Sequence, residues 1–244
     1  MIFCDSHFHS ALLSRFPCNT LDDSYMGICC SLTPEEFSRT ALLIKNKPYF
    51  YSCYGVHPLY LSESSLLYLE ELLKNNQINA VGECGYDFYS KKTNVKEQMY
   101  YFNKQLDLCI YYRKGMIIHN RKGFDELFCN VKELSNIPFV IFHGFSFTKD
   151  QALSLLKHNV NAYFSFGKTL LLNSKKNIDC LNNIPLNRIL FETDAPFMAG
   201  KNREKTDYVE IKDVYKAAGI KMNMELSELC NAIYSNFKSL CGLF

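Results

Sequence analysis

Short apolar runs alternate with stretches of helical periodicity along the whole chain. Residues 2–9, 26–30, 49–56, 78–81, 115–118, 138–142, 162–166 and 188–191 read as eight strands. Helical patterns lie between them. Thr33-Pro34-Glu35-Glu36 is an N-cap with proline in the first turn and acids beside the helix dipole, opening a helix to about residue 45. Ser62 opens a second, with Leu66, Leu67, Leu69, Leu72 and Leu73 as its apolar positions. A longer helix is predicted over about 95–113, another over 124–134, and one begins near Thr148. The seventh run is followed by Gly167-Lys168 and a looser polar segment to residue 183, and residues 11–25, with Pro17, Asn19 and Asp22-Asp23, read as irregular. Helices over about 208–218 and 225–240 close the chain.

This alternation predicts one α/β domain over residues 1–244, a closed (β/α)8 TIM barrel, because each parallel crossover needs a helix to return the chain to the same end. Two small domains would fit the length, but 244 residues is also close to the ~250 typical of this barrel. There is no linker, low-complexity stretch or further repeat.

Composition narrows the partners. With 48% apolar residues and 16 Tyr and 19 Phe, a large core is available without any Trp. A net charge of +2 excludes a protein that coats nucleic acid, so a polyanionic substrate must be gripped locally. The 11 cysteines are scattered without a Cys-x-x-Cys and read as reduced core residues. No secretory leader and no run of ~20 apolar residues is present, so a soluble cytoplasmic protein without membrane contact is the expectation. Oligomeric state is not written in the pattern.

The chemistry gathers at the strand ends. Asp5, His7 and His9 alternate at the end of the first run, which on a strand places them on one face. His57, Glu83, His119, His143 and Asp194 end later runs, so five of the six histidines sit where a barrel collects its active site; His158 is the exception. The fourth strand is expected to stop at Gly82-Glu83-Cys84-Gly85-Tyr86-Asp87. Four imidazoles with two carboxylates are too many ligands for one zinc ion and suit two divalent ions, with Glu83 the natural bridge; Zn, Mg, Mn and Ni are all compatible. Two ions ~4 Å apart would acidify a water between them and polarise an ester, which is the chemistry of phosphodiester hydrolysis. Asp194 could both ligate and accept the proton.

Asp-x-His-x-His, Gly-Val-His-Pro at 55–58, Gly-Glu-Cys-Gly-Tyr-Asp, His119-Asn120-Arg121, His143 and Glu192-Thr193-Asp194-Ala195-Pro196 together resemble the TatD family of metal-dependent hydrolases. Gln98, Gln105-Leu106 and Ile184-Pro185-Leu186 also stand where that family has similar residues. The resemblance implies an amidohydrolase-type barrel with a dinuclear centre, His7, His9 and Asp194 on one ion, His119 and His143 on the other, and Glu83 joining them. It also implies a deoxyribonuclease, often a 3′ to 5′ exonuclease on DNA, with Asp194 and Glu83 as catalytic residues. Arg121 could fork onto a phosphate or pair with a carboxylate. His57 could touch substrate or support the metal ligands. Asp5 and Asp87 read as orienting or structural residues rather than ligands. Lys201, Asn202 and Arg203 could form a basic rim or a solvated loop. Segment 197–208 is short and lacks the family's usual proline, and Tyr86 stands where Leu is common, which puts substrate preference in question. Rival readings are a hydrolase of another ester, such as an aminoacyl ester on transfer RNA, and a non-catalytic barrel that binds nucleic acid.

Overall fold

Eight strands follow one another around the barrel in sequence order, each parallel to the next. They are β1 Phe3–Phe8, β2 Tyr25–Ser31, β3 Phe50–Tyr54, β4 Ala80–Asp87, β5 Gly115–Arg121, β6 Val140–Phe142, β7 Ala162–Phe166 and β8 Ile189–Phe191. The helices are α1 Pro34–Ile44, α2 Glu63–Lys74, α3 Val95–Tyr112, α4 Phe124–Phe128, α5 Val131–Leu134, α6 Lys149–Lys157, α7 Lys175–Asn183, α8 Ile211–Met222 and α9 Leu226–Cys241. The computed structural model describes residues 1–14, 24–172, 174–198 and 205–244. Lys201, Asn202 and Arg203, and Pro17, Asn19, Asp22 and Asp23, lie outside the described residues.

The strands read as near-continuous apolar runs because helices cover one face and the barrel interior fills the other: every residue of β1, β2 and β4 is buried. The helices start where local chemistry stops the strand pattern. Thr33 accepts from Glu36 N, and reciprocal capping boxes open α3 (Asn94 with Glu97) and α6 (Thr148 with Gln151). In α2, Leu66, Leu69, Leu72 and Leu73 are buried while Leu67 faces solvent. The helix expected over 124–134 is two short pieces, α4 and α5, and the polar segment after β7 contains α7, whose buried Cys180 and Leu181 supply its inner face.

Among the described residues no strand ladder joins β8 to β1, and other contacts complete the wall there. Near the base Tyr215 of α8 both accepts from Cys4 N (3.0 Å) and donates to Cys4 O (3.1 Å), while Asn236 of α9 donates to Ile189 O (2.8 Å). At the mouth the backbone closes the gap: Asp194 N donates to His7 O at 3.0 Å and His9 N to Ala195 O at 2.7 Å. Asp5 staples the same seam, accepting from Thr193 N (3.1 Å), Thr193 Oγ1 (2.6 Å) and Tyr25 Oη (2.7 Å). Buried backbone groups that lack a ladder thus find partners, as they must when water is excluded.

Candidate metal centre

Glu83 is the hub of the barrel mouth. It was expected in the turn that stops β4, but β4 runs on through it to Asp87. The register against β5 shifts between Val81 and Cys84, then resumes with Cys84 opposite Ile118 and Gly85 opposite His119. The glycines read as strand breakers are what permit this continuation. Gly85 has φ +131°, and a Cβ there would stand 2.1 Å from His119 O, so a side chain would push β4 off β5. The Gly82–Glu83 peptide is cis.

The two carboxylate oxygens of Glu83 face different imidazoles. Oε1 lies 3.1 Å from His9 Nε2 and 3.4 Å from His7 Nε2. Oε2 lies 3.0 Å from His143 Nε2, 3.6 Å from His119 Nδ1 and 3.8 Å from His57 Nε2. Asp194, placed after β8 with φ +54°, brings Oδ1 to 3.5 Å from His7 Nε2 and 3.6 Å from His9 Nε2. His7, His9 and Glu83 are 0%, 1% and 3% exposed, so these groups face one another without water to separate them. All six predicted ligands therefore meet in one cluster.

Outer hydrogen bonds select the nitrogen that each ring turns inward. His119 Nε2–H donates to Asp87 Oδ2 at 3.0 Å, which leaves Nδ1 as its inner atom. His143 Nδ1 faces Glu192 Oε1 at 3.4 Å, and His7 Nδ1 faces Cys30 Sγ at 3.0 Å, which leaves Nε2 inward in both. The thiol of Cys30 is free to accept because its own hydrogen is directed at Ile28 O, and Cys53 donates to it at 3.0 Å. Among the described residues the buried His7 Nε2 makes no hydrogen bond, although it faces the Glu83 and Asp194 carboxylates at 3.4 and 3.5 Å. Such a set of imidazole and carboxylate atoms fits a divalent cation.

His57 behaves differently. Its Nδ1 accepts from Leu59 N at 3.1 Å, so the neutral ring carries its proton on Nε2, facing the centre as a donor rather than as a ligand. Burial, helped by the neighbouring His119 and His143, lowers its pKa to about 4, so it stays neutral in ordinary buffers. The cluster groups shift the other way. Burial opposes the charge on His9, yet Asp194 and Glu83 outweigh it and raise the pKa to about 9. His143 also reaches about 9: burial and His7 lower it, and the Glu83 and Glu192 carboxylates prevail. Burial likewise works against ionised Glu83 and Asp194, but the facing imidazoles hold both well below the carboxylate range. In the absence of a cation, protons balance the carboxylates, and a cation would displace them.

α3 fixes the flanks of the centre. Gln98 accepts from Asp87 N (2.8 Å) and donates to Asp87 O (3.1 Å), and Gln105 does the same to Val56 (2.7 and 3.1 Å). Two buried amides thus mimic a strand edge and set the segments that carry Asp87 and His57.

Asp87 orients the His119 ring, whereas Asp5 is structural and alternation misplaces it: the register shifts between Asp5 and Phe8, and the Asp5 carboxylate turns to the β8 seam. Burial raises its pKa to about 7 against the pull of its hydrogen bonds. Arg121 neither pairs tightly nor reaches the cluster; it lies 3.8 Å from Asp87 Oδ2, half exposed, with its guanidinium 4.4 Å from the Tyr89 ring. Glu192 and Cys30 were not assigned a role from the sequence. Glu192 stood inside the Glu-Thr-Asp-Ala-Pro motif, but Cys30 looked like any core cysteine at the end of an apolar run. Among the described residues no cysteine forms a disulfide, and no helix is long and apolar enough to cross a membrane.

A parallel eight-stranded barrel with a histidine–carboxylate cluster at its mouth defines a metal-dependent hydrolase of the TIM-barrel type. The chain belongs to the TatD family: the family described as TatD related DNase matches residues 4–242. A Haemophilus influenzae protein described as an uncharacterized metal-dependent hydrolase is 31% identical over 224 residues, 81% of this chain and 82% of its own. A 3'-5' ssDNA/RNA exonuclease TatD from Erwinia billingiae is 29% identical over 172 residues, 67% of this chain and 64% of its own. The crystal structure of YjjV, a TatD homolog from Escherichia coli, superposes with a TM-score of 0.83 at 25% identity, covering 98% of this chain and 97% of that one.

Proposed function

We propose that the centre hydrolyses phosphodiester bonds in nucleic acid, trimming DNA from a 3′ end, with two divalent cations as cofactors. The observation that carries the dinuclear reading is the division of Glu83, Oε1 toward His7 and His9 and Oε2 toward His119 and His143. His7, His9 and Asp194 would hold one ion, His119 and His143 the other, with Glu83 shared. When bound, such ions supply Lewis acidity to a phosphoryl oxygen and acidify a water. Asp194, held ionised by His7 and His9, takes the proton of the attacking water. His57 offers Nε2–H to a substrate oxygen, and Arg121, half exposed at the rim, holds a phosphate of the bound strand beside the centre. The nuclease activity is supported by the family description and by the Erwinia relative's name.

The test is digestion of end-labelled single-stranded DNA with Mg or Mn against a chelator, with metal content measured by mass spectrometry. Metal-dependent shortening from the 3′ end, lost in Asp194→Asn, is the expected result. A preparation that holds metal but leaves DNA intact would overturn the nuclease reading and direct attention to other esters, aminoacyl-RNA included.

A further inference from the structure

Where β5 ends at Arg121 lies a cleft of about 390 Å³, within the ~300–1,000 Å³ of small-molecule sites. Tyr89, Arg121, Lys122, Phe124, Phe147 and Lys176 form its walls. Three of these are cations, and Asp125 is the single carboxylate among the lining residues. Lys122 and Lys176 pair with no carboxylate among the described residues. Their heads are nevertheless placed: the Tyr89 ring carries Arg121 at 4.4 Å and Lys122 at 5.2 Å, and Lys176 donates to Ser146 O. Holding the two lysines on an aromatic face and a carbonyl, rather than on acids, leaves their charge available and lowers the ordering cost of binding an anion. In the cleft the half-buried Phe124 packs edge to face on the buried Phe147 at 5.0 Å, which fixes the Phe124 ring as the apolar part of the wall.

Convergent positive charge over aromatic rings recognises a ligand that joins an anion to a flat apolar body, and a nucleotide has that make-up. The cleft and the metal centre share one neighbour. One carboxylate, Asp87, is reached by His119 Nε2 at 3.0 Å from one side and by Arg121 Nη1 at 3.8 Å from the other. That proximity lets a strand with one phosphodiester at the centre place its neighbouring unit in the cleft.

We propose that this cleft seats the nucleotide next to the scissile bond of a single-stranded nucleic acid, its phosphate on Arg121, Lys122 and Lys176 and its base against Phe124. The assignment rests on the phosphodiesterase reading above. Single-stranded substrate follows because a base must be unstacked to lie on a protein ring.

Binding can be measured without turnover, in chelator, by fluorescence anisotropy of a labelled short oligothymidylate. Lys122→Ala/Lys176→Ala is expected to weaken binding about tenfold, the loss of a charge-assisted contact. The slope of log Kd against log salt should become shallower by roughly 0.7 per phosphate contact removed. Lys104→Ala, on α3 away from the mouth, should bind as wild type, and thermal midpoints will show that the exposed substitutions leave the fold intact. As competitors, thymidine 5′-phosphate should displace the oligonucleotide better than thymidine or inorganic phosphate. Wild-type affinity and salt slope in the double variant would overturn the cleft as a binding site; equal displacement by inorganic phosphate would overturn its assignment to a nucleotide. Metal-loaded digestion is scored separately. A protein that cuts no phosphodiester while the double variant loses affinity rejects the reaction and keeps the cleft, and one that cuts DNA while the double variant binds normally does the reverse.

Discussion

Asp87→Asn isolates one atom of the site. The Asp87 Oδ1 oxygen accepts from Tyr89 N (3.1 Å) and Ser90 N (2.9 Å), and Oδ2 accepts from His119 Nε2–H (3.0 Å). An asparagine keeps its oxygen on the two backbone donors, since flipping would turn both against its amino group. The amide N–H then meets His119 Nε2–H, donor against donor. The ring resolves the conflict by moving its proton to Nδ1, the atom 3.6 Å from Glu83 Oε2 and needed for a cation. Removing an outer partner of this kind costs about 10–100-fold in metal affinity. Folding should be little affected, because Gln98 still clamps the Asp87 backbone from both sides. Isothermal titration with Zn or Mn gives the affinity, and 15N imidazole NMR of the metal-free protein identifies the tautomer. The reasoning fails if the variant keeps the Nε2–H tautomer and binds metal within twofold of wild type.

The metal-free protein should lose stability as pH rises. His9 and His143 are raised to about 9 in the fold from an ordinary 6.5, so their contribution is complete below pH 6.5 and disappears as pH climbs through 9; thermal midpoints should fall over that window and recover when a divalent metal is added. Cys30→Ala takes the partner from His7 Nδ1 and should weaken metal binding roughly tenfold, with Cys30→Ser restoring part of it; identical affinities in all three proteins would exclude an orienting role for the thiol. Gly85→Ala places a Cβ 2.1 Å from His119 O at φ +131°, and should cost about 3 kcal/mol or more in urea unfolding; a variant of wild-type midpoint would mean that β4 relaxes freely against β5.

The amino-acid order alone determined the barrel and the six cluster residues. Eight apolar runs separated by capped amphipathic stretches leave little choice of topology, because parallel neighbours require helical crossovers. Histidines, which are few, stood out at the run ends. Local pattern also placed α1, α3 and α6 closely, since their caps act within four residues and need nothing from the rest of the chain.

What only the tertiary structure decided depends on contacts between distant segments. Gly82 and Gly85 look like breakers in isolation, yet they let β4 pass within reach of β5 and carry Glu83 to the centre. Asp5 alternates with His7 and His9, but the seam to Thr193, 188 positions away, claims its carboxylate. α7 was read as loose polar chain because its covered face is narrow and needs α8 beside it to count as a core. Cys30 and Glu192 gained roles only when folding brought them to the outer nitrogens of His7 and His143. Ligand type is a property of a residue, whereas the nitrogen a ring turns inward is a property of its neighbours, and neighbours at such separations are set by the fold.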